Sequence, residues 1–385
     1  MSGRKIEAWH QAGVIDEATR DRLLAYEDEH KRPLALWAVF GVGALAIGLG
    51  LISLIAANWE DVPGQVRLAL HLILIAASLG ALLLREQQLA AASPWAVEAL
   101  LFVTGMLCLT FFGHIGQVYQ TSSPLWRPLA IWLVLVAPLT LATGRSWLTA
   151  AMLGVGLVYC AWEYAYWLEY PTPFARDDDP PTLLIAAVTA LPLLMVAPAA
   201  AFLRSRSARA EFWLRLEQLA LAYAVGGASL ATALASAGAY DDGSSALLDG
   251  GSQLVRALIA AVAGAGVAFA RPNLSGRMSG AIIAAAGLVL VLAHAASGYD
   301  ILAALLFMAL WAGIAAAAFL AGWRWVFQLA VAAIALRLII LSFELASDLL
   351  LSGFGLILSG LLILGIAWVA VRFSRAFAPA SEEPS

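Results

Sequence analysis

The chain has 385 residues, of which 62% are hydrophobic and only 12% charged, about half the charged share of a soluble domain. That balance excludes an ordinary soluble enzyme, and a formal net charge of −4 removes the electrostatic basis for nucleic-acid binding. The two cysteines, Cys108 and Cys160, both fall in apolar runs, so there is neither a disulfide framework nor a zinc-type spacing.

Residues 1–33 read as a polar cytoplasmic module of two short helices. Ile6, Trp9 and His10 fall at helical spacing, Gly13 can end that turn, and Asp16 can cap a second helix running to about His30. Arg4, Lys5, Arg20, Arg22, Lys31 and Arg32 make the module basic. It either lies on the membrane face or docks a cytoplasmic protein partner. No signal peptide is evident ahead of the first apolar run.

Apolar runs of spanning length then recur to residue 373. They predict an all-α polytopic membrane protein of about twelve transmembrane helices, near 34–57, 66–84, 95–116, 127–143, 146–169, 182–203, 213–238, 252–270, 276–296, 300–321, 324–346 and 349–373. A basic loop, 204–215, separates two sets of six, and 374–385 are expected to form a disordered cytoplasmic tail. With the N-terminus inside, nearly every Lys and Arg falls on the inner side. Arg67, Arg127 and Arg176 fall on the outer side, and Arg256 and Arg337 within spans. By the positive-inside rule both termini are cytoplasmic. Acids such as Asp177, Asp178, Asp179, Asp241, Asp242 and Asp300 collect at the outer ends.

The loop between the third and fourth spans, FFGHIGQVYQTSSPLWRPLAIW (111–132), gathers aromatics and polar groups at one boundary. Phe111, Phe112, Tyr119 and Trp126 flank it, as amphipathic rings do at headgroup level.

Within the first 150 residues, WHQAGVIDEATRDRLLAYE, LISLIAANWEDVPGQVRLAL and GHIGQVYQ ahead of WLVLVAPLTLATGRSW resemble a bacterial family of predicted membrane proteins, domain of unknown function 2157. The resemblance implies a multi-span protein of the bacterial inner membrane. It implies no activity and no site residues.

Ionisable groups inside a bilayer are costly and mark functional candidates. Arg337, in VFQLAVAAIALRLIILSFELA, sits about 18 Å along its helix from the inner end at about 1.5 Å per residue, too deep for easy snorkelling. Glu344, two turns on, can share its polar interior, though the spacing is long for a direct pair. Glu163, in VYCAWEYAYWLEY, is the expected acidic partner for Arg337. It is shielded by Tyr159, Trp162, Tyr164, Tyr166 and Trp167, with Glu169 nearer the surface. His114, Gln117 and Asn58 are candidates for a shared outer pocket. His71, His114 and His294 come from three spans without metal-ligand spacing, so no metal is expected. Glu98 and Glu217 lie one turn inside inner helix ends, where water is near. The runs GVGALAIGLG, AVAGAGVAFA and GAIIAAAG are small-residue packing signals.

No nucleotide loop, nucleophile elbow or redox motif is present, so no cofactor is expected and an enzyme is disfavoured. Two readings stand beside a weaker one of a lipid-modifying enzyme. One is a carrier or sensor binding a small solute in an outer-leaflet polar pocket. The other is a scaffold recruiting a cytoplasmic partner through residues 1–33.

Overall fold

The computed structural model describes residues 3–29, 62–170, 181–240 and 245–345, together with positions 46, 361, 364–366, 368, 369 and 372. The chain divides into two compact units, Met1–Arg67 and Leu68–Ser385. In the first, α1 (Gly3–Gln11) and α2 (Glu17–Glu29) form the expected helical pair. Gly13 takes the left-handed conformation (φ 69°) that ends α1. Asp16 accepts the Thr19 N–H at 2.9 Å at the start of α2, and hydrogen bonds from Thr19 hold its carboxyl below the ordinary value.

The remaining described helices are α3 (Gly64–Ala92), α4 (Pro94–Tyr119), α5 (Trp126–Thr143), α6 (Trp147–Glu169), α7 (Thr182–Leu194), α8 (Val196–Arg204), α9 (Ala210–Ser236), α10 (Gly250–Ala270), α11 (Leu274–Ala295), α12 (Asp300–Leu320) and α13 (Arg324–Leu345). Among the described residues ten stretches are long and apolar enough to cross a membrane, α7 and α8 together making one. They coincide with the ten interior spans read from the sequence. Of the first and twelfth predicted spans only scattered positions are described.

The connections set the two ends of the bundle apart. At one end lie short connections (93, 144–146, 205–209, 271–273 and 321–323), and at the other, the long-link end, lie 120–125, the turn 296–299 and the described residues 170, 181, 237–240 and 245–249 of the other two links. Side-chain caps start helices after three of the tight connections. Ser93 accepts from Trp95 N–H ahead of α4, Ser146 from Leu148 N–H ahead of α6, and Asn273 from Gly276 N–H ahead of α11. Each satisfies a donor that the first helical turn leaves unpaired. In α3 the helical geometry breaks at Arg85, one residue beyond the predicted end of that span.

α9 is the hub, packing on α6, α7, α8, α11 and α12. Its buried stripe, Leu216, Ala220, Ala224, Ala228, Ala231 and Ala235, repeats every three or four residues along one face. Small side chains let the neighbouring backbones come close, where dispersion contacts hold helices together in lipid. α10 and α11 meet most tightly. A Cβ on Gly264 would stand 2.4 Å from the Gly280 carbonyl oxygen, and one on Gly287 would stand 2.6 Å from Ala260 Cβ. Both small-residue runs are therefore packing seams, as read from the sequence. On the other side of the hub, Trp132 donates Nε1–H to the Gly105 carbonyl at 2.7 Å and lies where a Cβ on Gly156 would be, keying α4, α5 and α6 together.

Candidate functional site

At the short-turn end, two carboxylates expected near water are instead buried. Glu98 is 2% exposed. Its Oε1 accepts the Arg145 backbone N–H, and its Oε2 accepts Ser146 Oγ at 2.7 Å and Thr149 Oγ1 at 2.8 Å. The α5–α6 turn folds over this carboxylate and excludes water from it, and Arg209 donates to the Gly144 carbonyl at 3.0 Å from the far side. Glu217, 3% exposed, faces Arg271 and Arg204.

Arg337 is 7% exposed, as its position within a span predicts, but two expectations about it are corrected. It pairs directly with Glu344, donating from Nη1 to both carboxylate oxygens at 3.0 Å, and from Nη2 to Ser236 Oγ at 2.9 Å. Ser236 and Glu344 stand at the ends of α9 and α13. The guanidinium thus climbs its own helix toward the long-link end, and an extended Arg spans the seven-residue separation. Glu163 is not its partner among the described contacts. It lies one turn from Tyr159, whose hydroxyl interacts with it.

The histidines give a different surprise. His71 and His114 meet through their Nδ1 atoms at 3.2 Å, and His71 Nε2 lies 3.0 Å from the Leu107 carbonyl oxygen. A carbonyl accepts only, so His71 carries its proton on Nε2. With neutral rings, His71 Nδ1 then accepts the proton of His114 Nδ1. Gln117 is exposed, and its backbone carbonyl accepts the Gln120 side chain at 2.8 Å. α4 runs to Tyr119, and Gln120 closes it at φ 52°, donating its N–H to the Gly116 carbonyl. His114 is therefore inside the helix and not at its exit. Asn58 lies outside the described residues. Among those residues, no group of three or more His, Cys, Asp or Glu side chains could hold a metal ion.

The group that the sequence placed inside a span without assigning it a role is Arg256, on the second turn of α10 and 9% exposed. Its Nε–H donates to Thr189 Oγ1 at 3.1 Å and its Nη1 to the Leu247 carbonyl at 2.6 Å. Its Nη2 is shielded from solvent and has no hydrogen-bond partner. No carboxylate stands within 4 Å of the guanidinium among the described residues. Glu169, buried and accepting Ser245 Oγ at 2.6 Å, acts on it only through space. Glu169 is the last residue of α6, nearer the helix end than Glu163 as expected, but it is buried.

Arg256 lines a cavity of about 480 Å³ between α6, α7, α9, α10 and α11. Its walls are mostly Ala, Gly and Leu, with a polar arc of Arg256, Gln253, Ser245, Thr189, Tyr223 and Tyr240. Tyr223 is tied down: its hydroxyl donates to the Thr189 carbonyl at 2.7 Å and accepts Trp162 Nε1–H at 3.1 Å. The Tyr240 hydroxyl is buried with no partner. Burial pushes its pKa up, so it stays protonated and able to donate. The arrangement is a positive charge and unused donors beside an apolar chamber, with an acceptor missing. Sequence reasoning could have found Arg256 from its position in α10. What it could not show is that no carboxylate of the described residues comes within ion-pair distance of it.

Comparison with known proteins agrees with the membrane reading. The family model described as predicted membrane protein (DUF2157) matches residues 7–149, the region whose motifs carry the resemblance. No match is found among curated proteins or among solved structures. The Glu98 network and the His71–His114 pair fall within the matched region. The Arg256 cavity, whose lining begins at Trp162, falls wholly beyond it.

Proposed function

We propose that this membrane protein binds a small amphipathic organic anion in the Arg256 cavity, as a carrier or sensor of the bacterial inner membrane, with the cavity toward the outer leaflet. One observation carries the reading: a nearly buried guanidinium with an unused Nη2 and, among the described residues, no carboxylate within ion-pair distance. A charge buried without a counter-ion costs several kcal/mol, and a ligand carboxylate removes that cost. The apolar walls suit a hydrocarbon body, and the Tyr240 hydroxyl supplies a further donor to the anionic head. Binding sites of this kind join a few placed polar groups to an apolar chamber.

The test is thermal unfolding of the protein in phosphatidylcholine nanodiscs, titrated with medium-chain carboxylates and their neutral amides. A carboxylate at a hundred times its Kd adds about 2.7 kcal/mol to the folded state, so the melting temperature rises with the acid and not with the amide. Equal shifts for both, or none for either, overturn the reading. Uptake of the same anion into proteoliposomes then separates carrier from sensor.

A further inference from the structure

The opposite end of the bundle holds a second charged cavity, of about 550 Å³, framed by the end of α8 and the starts of α9, α11 and α13. Its charge does not balance. Arg204, Arg271 and Arg324 line it against a single carboxylate, Glu217. Glu217 Oε1 accepts Arg271 Nη1, while Oε2 is 3.7 Å from Arg204 Nη1. At that distance Oε2 feels the charge but receives no hydrogen bond, and it is buried. The site therefore has surplus positive charge and one buried acceptor that lacks a donor. Ser275, Ser279 and Gln218 add hydroxyl and amide groups to the same lining.

The rim is built for the membrane boundary. Trp323 and Trp325 flank Arg324 at the start of α13, and Trp325 is 83% exposed. Indoles prefer headgroup depth, and basic clefts between spanning helices hold anionic lipid headgroups. We infer that this cavity is a binding site for the phosphodiester headgroup of an anionic glycerophospholipid, with Arg204, Arg271 and Arg324 facing the phosphate and a headgroup hydroxyl donating to Glu217 Oε2. A phosphate answers the surplus charge, and a hydroxyl-bearing headgroup answers the orphan oxygen. The site is independent of the Arg256 cavity, since the two share no lining residue.

The experiment is native mass spectrometry of protein exchanged through mixed phosphatidylglycerol and phosphatidylcholine bilayers, reading lipid retained after delipidation. The expected result is one retained phosphatidylglycerol per chain, with phosphatidylcholine lost. Combining Arg204→Gln with Arg324→Gln leaves the Arg271–Glu217 pair in place. It should cut retention roughly twenty-five-fold, since each of the two basic groups removed contributes on the order of a factor of five. Melting in lipid-free detergent should stay at the parent value, which separates lost binding from lost folding. Glu217→Gln should bind phosphatidylglycerol no better than the parent despite its higher positive charge, because the acceptor for the hydroxyl is weakened. Equal retention of phosphatidylcholine, unchanged retention in the double variant, or displacement of the lipid by millimolar glycerol 3-phosphate overturns the proposal, the last by assigning the site to a soluble phosphate.

Discussion

Arg337 and Arg256 are two guanidiniums within membrane spans and almost equally buried, at 7% and 9% exposed, yet they end in opposite conditions. Arg337 reaches a carboxylate and a serine at the helix ends and is neutralised there. Arg256 spends two nitrogens on neutral oxygens and keeps Nη2 unused beside a chamber. The contrast shows that burial of a charge is a poor marker of function by itself. The informative quantity is what remains unsatisfied after the protein's own groups are counted.

Substitutions can break or sharpen this contrast. The largest effect is expected for Arg256→Gln on ligand affinity. Losing a charge-assisted pair weakens anion binding about a hundredfold or more, roughly 3 kcal/mol, while unliganded protein melts no lower than the parent, because an uncompensated charge is gone. Arg337→Gln should do the reverse, lowering the melting temperature and leaving the ligand response intact; an equal loss of response there would erase the distinction. Glu344→Gln is next. It leaves Arg337 without a counter-ion and should destabilise by about 1–2 kcal/mol, discounted because Glu344 is partly exposed, as read by chemical or thermal unfolding. Tyr240→Phe removes a buried hydroxyl that has no partner. Stability should hold within about 0.5 kcal/mol and anion affinity fall several-fold, on the order of 1 kcal/mol. The smallest effect belongs to Arg337→Met with Glu344→Leu. Replacing both partners by apolar groups should sit within about 1 kcal/mol of the parent, so a large loss would show that the pair does more than satisfy itself.

The fold was legible because bilayer thickness writes itself into the chain. Each interior span is an apolar run closed by Pro, Gly, Ser or Arg, and Gly144-Arg145 and Gly322-Trp323 do turn between helices. The helix-packing glycines were legible for the same reason, since Gly264 and Gly280 admit an approach that a methyl group would block. Polar partnerships were not. Glu98 sits one turn from a helix end in sequence, but whether water reaches it depends on where the α5–α6 turn lies, and that turn closes over it. The Arg337–Glu344 pair escapes a rule built on neighbours three and four residues apart, because a fully extended Arg covers two turns. The isolation of Arg256 rests on the positions of Thr189, Leu247 and Glu169, drawn from three other segments.

The Gly264–Gly280 seam also has a mechanical consequence. Backbones in contact at that distance have no side-chain cushion between them, so α10 and α11 cannot slide without breaking carbonyl-to-backbone contact. The pair behaves as a stiff plank that carries Arg256. The opposing wall is of another kind: the span made by α7 and α8 is interrupted after Leu194 and holds Pro192, and Tyr223 joins it to Trp162 by two hydrogen bonds. Compliance is therefore concentrated on one side of the chamber. Under the proposed anion-binding function, a solute would enter by bending the jointed wall, while the charge that receives it stays fixed.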